Sequence, residues 1–345
     1  MPFQKIKHSQ WLLPLLLSSL IATIFLAVSV GVVPLEIKQI TAALLDGAGL
    51  SSSIEYSPQQ AIILFDIRLP RVLLGAVIGG GLGISGAAIQ GIFRNPLAEP
   101  SLIGVSAGAA LAAAFTMVVT SQLVTAHFWL LPIAAFVGGG LVTWLVYQIA
   151  ARSSTATTGT LLLAGIAINA MAGAGLGLLS YLADAQQLRN LVFWTLGGLD
   201  AANWNSLGLT GLCVFAAAFG LIRLARALNI FSLGEAEAGH LGLSSSRLKK
   251  QVVVLVALAV GASVAVAGII GFIGLVVPHL VRLIIGPDHR LLLPASALLG
   301  AILLVLADMA ARLMIAPAEL PVGILTALLG APFFLFLLLR QKQRL

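Results

Sequence analysis

The chain has 345 residues, 59% of them hydrophobic and only 9% charged, with a formal net charge of +7 at pH 7. A soluble globular domain carries about 25% charged residues, so this composition excludes a water-soluble globule and specifies a polytopic membrane protein. The basic excess fits the cytoplasmic flanks of membrane spans rather than nucleic acid, and a lone Cys213 in an apolar run excludes a disulfide framework or a cysteine metal site.

A spanning helix needs ~20 mostly apolar residues, which allows about ten spans in this length. Lys5 and Lys7 precede an apolar run, Trp11 to Val33, without a small-residue cleavage pattern, so it reads as a first span entering from the cytoplasm. Pro34 to Asp66 is a mixed polar stretch outside, with an amphipathic piece over Leu35 to Leu45 and a Ser/Pro-rich turn near Ser51 to Pro58. The second span covers Arg71 to Phe93 and stops at Arg94-Asn95-Pro96, because proline removes a donor and restricts its predecessor. Spans three and four follow over Leu102 to Ser121 and Phe128 to Ala150, then a Ser/Thr-rich turn from Arg152 to Gly159.

Span five covers Thr160 to Leu182. After it, Leu188 to Leu196 is too short to cross and is predicted to be re-entrant or interfacial. Span six, Ser206 to Leu224, leads into Asn229 to Gln251, the one stretch of the second half that is polar and long enough to fold in water. Its glycines, Gly234, Gly239 and Gly242, break it into short helical pieces. Two readings compete for it: a solvated loop, or a handle through which an outside motor works the membrane part. Val252 to Ile285 is too long for one span and short for two, so a reversal near Gly271 and at least one shortened helix are expected. Spans nine (Leu291 to Leu313) and ten (Val322 to Leu339) complete the chain, joined by an outer turn over Ala316 to Pro321.

Charge supports this layout. Lys5, Lys7, Arg94, Arg152, Arg223, Arg226, Arg247, Lys249, Lys250, Arg282, Arg290, Arg340, Lys342 and Arg344 fall inside. Only Lys38, Arg68, Arg71, Arg189 and Arg312 fall outside, in keeping with the positive-inside rule, with both termini cytoplasmic. Spans two to five begin outside and seven to ten begin inside, which permits an inverted repeat. The expected fold is therefore an all-α membrane protein of about ten helices.

Enzymatic readings find no residues to rest on. His8, His127, His240, His279 and His289 show no metal-ligand spacing, and no nucleophile elbow or G-x-x-x-x-G-K-[ST] phosphate loop is present. If ATP drives this machine, a separate subunit hydrolyses it. Ion coupling would need ionisable groups near the bilayer midplane, whereas Asp308 and Glu319 lie toward the outer side. The outer arginines admit two readings: exposed guanidinium groups at the mouths of spans two and nine gripping a partner's carboxylates, or local pairing, of Arg68 with Asp66 or lipid headgroups and of Arg312 with Asp308 at i,i+4.

Several long motifs then occur in order: RLPR (68–71), GISGAAIQGIFRNPLAEPSLIGVSAGA (83–109), LLLAGIAIN (161–169), LGEAEAGHLGL (233–243), GFIGLVVPHLVR (271–282), and DHRLLLP through ADMAARL to AELPVGILTALLGAP (288–332). Together they resemble the permease subunits of type II ABC importers, which take up iron–siderophore complexes, haem and cobalamin. The resemblance implies one transmembrane permease domain over 1–345 with 229–251 as a cytoplasmic coupling insert. It implies a homodimer in the bacterial inner membrane, two cytoplasmic ATPase subunits that bind ATP and Mg, and a periplasmic binding protein. No cofactor or metal is expected in this chain itself.

By position, Arg68, Arg71 and Arg312 look like docking arginines for the binding protein. Gly234, Glu235, Glu237, Gly239, His240, Leu241, Gly242 and Leu243 look like the segment that fits the ATPase, with Glu235 and Glu237 either gripping it or capping short helices. Thr158 and Gly159 fall where a cytoplasmic gate is expected. Leu188, Phe193 and Trp194 fall beside the translocation pathway, Trp194 being equally readable as an interfacial anchor. His279 is read as a satisfied histidine rather than a haem ligand. The stretches GEAEAGHLG and GPDHR are most similar to haem permeases, which makes haem or another ferric chelate the first expected cargo, carried by alternating access, with cobalamin second.

Overall fold

In hydrocarbon every backbone N–H and C=O must be satisfied within its own segment, which leaves an apolar chain of this kind the helix as its spanning form. The computed structural model describes residues 3–342 except 32, 34, 48, 51–53, 55, 121–128 and 153–157. Most of the two turns expected at Ser51 to Pro58 and Arg152 to Gly159 lies outside the described residues.

The helices run α1 (Phe3–Ser29), α2 (Ile37–Gly47), α3 (Pro58–Ile62), α4 (Leu69–Phe93), α5 (Val105–Val119), α6 (Leu130–Arg152), α7 (Thr158–Leu182), α8 (Ala185–Leu196), α9 (Trp204–Arg223), α10 (Ala225–Phe231), α11 (Glu235–His240), α12 (Ser245–Ala267), α13 (Ile273–Ile285), α14 (His289–Met314) and α15 (Val322–Lys342). Among the described residues, seven helical stretches are long and apolar enough to cross a membrane, and three shorter apolar helices, in α5, α13 and α15, raise the number to the expected ten.

Two boundaries differ from expectation. The second span does not start at Arg71: α3, a π-helical turn over Ile63–Arg68 and α4 form one continuous stretch, Pro58–Phe93. Its start is fixed by Ser57, whose side chain accepts from the Gln60 amide in a capping box, with Pro58 in the first turn. The third span is shorter than its apolar run, because Pro100 and a 3-10 turn over Pro100–Ile103 delay α5 until Val105. The reversal expected near Gly271 is present as the break between α12 and α13, and the short α13 makes spans three and eight, counterparts in the two halves, both truncated.

The central element is α4. Its most apolar window is 83% buried, against 11% for the first span. The reason is a row of glycines: a side chain at Gly79, Gly83 or Gly86 would overlap a carbonyl oxygen of Gly300, Ser296 or Gly274 respectively. Absent side chains there let α14 and α13 touch the α4 backbone, the form of association available where lipid supplies no hydrophobic drive. The bundle thus has two ends, one carrying α10 and α11, called here the insert side, and a far side carrying the ends of α1 and α14.

Candidate functional site

On the insert side, α10 and α11 form a compact bracket. Gly234 has φ +136°, a conformation that favours glycine, and this sharp joint turns the chain from α10 into α11. Ala238 and Phe231 are fully buried beneath the bracket. Lys249 of α12 bonds Glu235 at 2.6 Å, and the Lys249 and Arg94 cations lie 5.8 and 6.0 Å from the Phe231 ring centroid. Behind α10, the Asn229 amide donates to Asp288 Oδ1 (2.6 Å), and Asn229 Oδ1 accepts from the His289 backbone amide (2.9 Å), tying the bracket to the start of α14.

Asp288 also caps α14 by accepting from the Arg290 amide. Burial works against its charge, but the Arg290 amide, the Asn229 amide and the Arg290 charge outweigh that, so its pKa lies below the ordinary aspartate value. The cap is therefore fully effective above the unfolded aspartate pKa of ~3.9 and is lost as pH falls through the lower folded value.

The residues expected to meet an ATPase divide into two groups. Glu235 turns inward as a strut. Leu233, Glu237, Gly239, His240, Leu241 and Gly242 are exposed on the outer surface, Leu233 and Leu241 as apolar knobs at 65% and 63% exposure, with Leu243 half-buried at the edge. A rigid bracket with an apolar, solvent-facing tip suits the transmission of force. Lys249→Glu is expected to loosen the bracket and speed its cleavage in limited proteolysis about fivefold, the effect of a partly exposed ion pair, and Lys249→Glu with Glu235→Lys to restore the original rate. Equal rates in all three proteins would remove the strut.

Thr158 opens α7 and its hydroxyl lies 3.4 Å from the Ile92 carbonyl oxygen at the end of α4, with Gly159 exposed beside it. The two expected gate residues thus sit where α4 and α7 meet on the insert side.

On the far side the arginines are not exposed. Arg68, Arg71 and Arg312 are 5%, 8% and 7% exposed, which corrects the picture of free guanidinium groups at the mouths of the spans. A guanidinium at the end of an apolar bundle has no water to solvate it and must find internal acceptors. Arg68 donates to the Val28 (2.7 Å), Ser29 (3.1 Å) and Val33 carbonyls, satisfying the end of α1, and not to Asp66. Arg71 bonds Asp308 through Nε and Nη2 (3.0 and 2.9 Å) and Glu319 through Nη1 (2.7 Å). Arg312 Nε lies 3.0 Å from Asp308 Oδ2, close enough for an ion pair but out of line for a hydrogen bond. The i,i+4 pairing of Arg312 with Asp308 is thus present.

Beside this cluster a cavity of about 410 Å³ opens, lined by Arg71, Glu319, Asp200, Phe193 and Trp194 among others. Two expected groups of residues, one from α4 and one from α8, therefore share one space, while Leu188, 40% exposed, lies outside its lining. The short α8 starts at Asp184 in a capping box with Gln187. It ends at Gly197, whose neighbour Gly198 donates to the Ala267 carbonyl (2.9 Å) at the end of α12.

One polar contact deep in the bundle was missed. Glu99 accepts from the Phe272 amide (3.1 Å) at the start of α13 and from the Ser101 hydroxyl (3.3 Å). Phe272 has φ +66°, unusual for a residue with a side chain, and the Glu99 bond helps hold that turn. Asn169 of α7 donates to the Ser101 carbonyl (3.1 Å), and Gln90 of α4 joins Leu275 (3.2 Å) to Arg282 (2.9 Å), so α4, α7, α13 and the 3-10 turn before α5 meet through these side chains. The available signal was Glu99 between Pro96 and Pro100: two helix breakers four residues apart fold a loop back on itself with its acid inside. His279 Nδ1 is buried and has no hydrogen-bond partner among the described residues.

A model of the FecCD transport family matches residues 19–340. The hemin transport system permease protein HmuU of Yersinia pestis is 46% identical over 288 residues, 82% of this chain and 84% of that protein. The cobalamin import system permease protein BtuC of Halobacterium salinarum is 42% identical, covering 82% of this chain and 75% of that protein. Among solved structures, a metal-chelate type ABC transporter in an inward-facing conformation superposes with a TM-score of 0.83 at 32% identity, covering 95% of this chain and 98% of that one.

Proposed function

Because the chain belongs to the FecCD transport family, we propose that it is the membrane permease of an ATP-driven importer that carries haem or another ferric chelate from the far side to the insert side by alternating access. The observation that carries this reading is the pairing of the two ends: a braced bracket with an exposed apolar tip on one, and a cavity lined by Arg71, Phe193 and Trp194 on the other. The bracket receives a cytoplasmic ATPase that binds ATP and Mg; the insert side and both termini are then cytoplasmic.

In this reading the binding protein docks over the cavity that Arg71 lines, while the guanidinium groups of Arg71, Arg68 and Arg312 are all held by internal acceptors and brace that side. Thr158 and Gly159 close the cytoplasmic end, and Leu188, Phe193 and Trp194 flank the path. A second copy packs on α7, where Ala170, Gly173, Ala174 and Gly177 form an exposed small-residue stripe and a side chain at Gly173 or Gly177 would meet nothing within 4 Å. Such stripes let transmembrane helices approach closely.

Haem is favoured by the higher identity to the hemin permease, and cobalamin is the second reading, favoured by the cobalamin relative at 42%. ATPase stimulation of the reconstituted complex separates them. Binding protein loaded with haem is expected to raise the rate, and stimulation by cobalamin alone would replace haem with cobalamin.

A further inference from the structure

Helices α6 and α12 lie side by side and antiparallel: Phe136 borders Gly261 near one end and Tyr147 and Lys250 share a groove at the other. Along α12 the groove takes Lys250, Val253, Val254, Ala257 and Leu258, and along α6 Phe136, Gly140, Thr143, Trp144 and Tyr147. Both sets follow helical spacing, so each is one stripe of its helix. The groove encloses about 330 Å³ and runs from an exposed ammonium on the insert side into apolar surface at membrane depth.

Three features set its ligand. Lys250 is exposed, with Arg247 one turn earlier also exposed, so the insert-side mouth is cationic. The neighbouring Lys249 points the other way, into its bond with Glu235, and does not compete for the same ligand. One turn deeper than Tyr147, about 6 Å along the axis, Thr143 is buried in the groove wall, so the surface below the mouth is apolar. Deeper still, Gly140 leaves open space, since a side chain there would meet nothing within 4 Å. Charge at the interface and an apolar channel beyond it form the sequence of chemistry found along an anionic glycerophospholipid: phosphate, then chain.

We propose that the groove between α6 and α12 is a binding site for an anionic glycerophospholipid, with its phosphate at Lys250 and an acyl chain over Gly140, Phe136 and Ala257. Lys250 supplies the preference for anionic headgroups, because a lysine near a charged leaflet gains roughly fivefold in affinity. The site lies on the lipid-facing side of α12, the helix that also carries the Lys249 strut.

The test is quenching of Trp144, which lines the groove, by brominated-chain lipids in nanodiscs holding the full chain, with Trp144→Phe as the blank for the other four tryptophans. Brominated phosphatidylglycerol is expected to half-quench Trp144 at about one-fifth the mole fraction needed for brominated phosphatidylcholine. Lys250→Gln is expected to equalise the two lipids, and Gly140→Leu to abolish the quenching by filling the channel. Equal quenching by both headgroups in the unaltered protein, an intact preference in Lys250→Gln, or unchanged quenching in Gly140→Leu would overturn the site.

Discussion

Asp308→Ala is expected to cost about 3–5 kcal/mol of stability, the range for removing one partner of a buried ion pair and leaving the other charge uncompensated. Two arginines depend on this one carboxylate. Arg71 bonds it twice and Arg312 pairs with it one helical turn away, and the Asp308 side chain is 2% exposed. Neither arginine can turn to water, because both are themselves buried on the far side. Glu319 is the contrasting case: it also bonds Arg71, but its side chain is 44% exposed. Glu319→Gln is therefore expected to cost ~1 kcal/mol or less, as exposed pairs do. Thermal unfolding of the detergent-solubilised variants ranks them, and equal losses would show that the cluster is not held by Asp308.

Gly86→Ala is expected to cost about 3 kcal/mol, at the upper end of the overpacking range. The added methyl group would overlap the Gly274 carbonyl oxygen, a backbone atom of α13 that no side-chain rotation can move aside. To admit it, α13 must separate from α4, which also disturbs the Glu99 bond to Phe272 and the Gln90 bond to Leu275. The same substitution at Gly208, inside α9, meets nothing within 4 Å. There it is expected to stabilise by roughly 0.5–1 kcal/mol through lower chain entropy in the unfolded state. One chemical change of opposite sign at two glycines, measured on the same unfolding assay, separates close backbone approach from helix propensity. A loss at both positions, or at neither, would contradict the packing given for α4.

Much of this architecture was legible in the chain. Apolar run length located the spans, and the length of Val252 to Ile285 was enough to require a break near Gly271 and a shortened helix, because an apolar stretch between one and two membrane thicknesses has no other solution. The insert stood out for the same reason in reverse: it is polar where everything around it is not. The roles of the arginines were less legible. The Arg312 pair with Asp308 is an i,i+4 relation and can be read directly, but Arg71 and Asp308 are 237 residues apart and meet only when α4 and α14 pack. The acceptors of Arg68 are backbone carbonyls, which no residue identity marks. The α3 start of the second span escaped because an amphipathic extension beyond the bilayer carries no hydropathy signal, whereas its capping box, Ser57 with Gln60, was there to be seen. Glu99 carried no such mark, because it lies in the short connection between two spans, outside any apolar run.

The bracket and the far-side cavity lie at opposite ends of one bundle centred on α4, so a partner acting at either end must bias the same packing equilibrium to influence the other. In the proposed function, force enters through Leu233 to Leu243 from an ATP-hydrolysing partner. The direct measurement is uptake of a ferric chelate into proteoliposomes holding this permease and its ATPase, with loaded binding protein outside and ATP inside. Uptake is expected to require ATP, the ATPase and the binding protein together, and to persist when the proton gradient is collapsed. Uptake driven by a proton gradient with no ATPase present would contradict it.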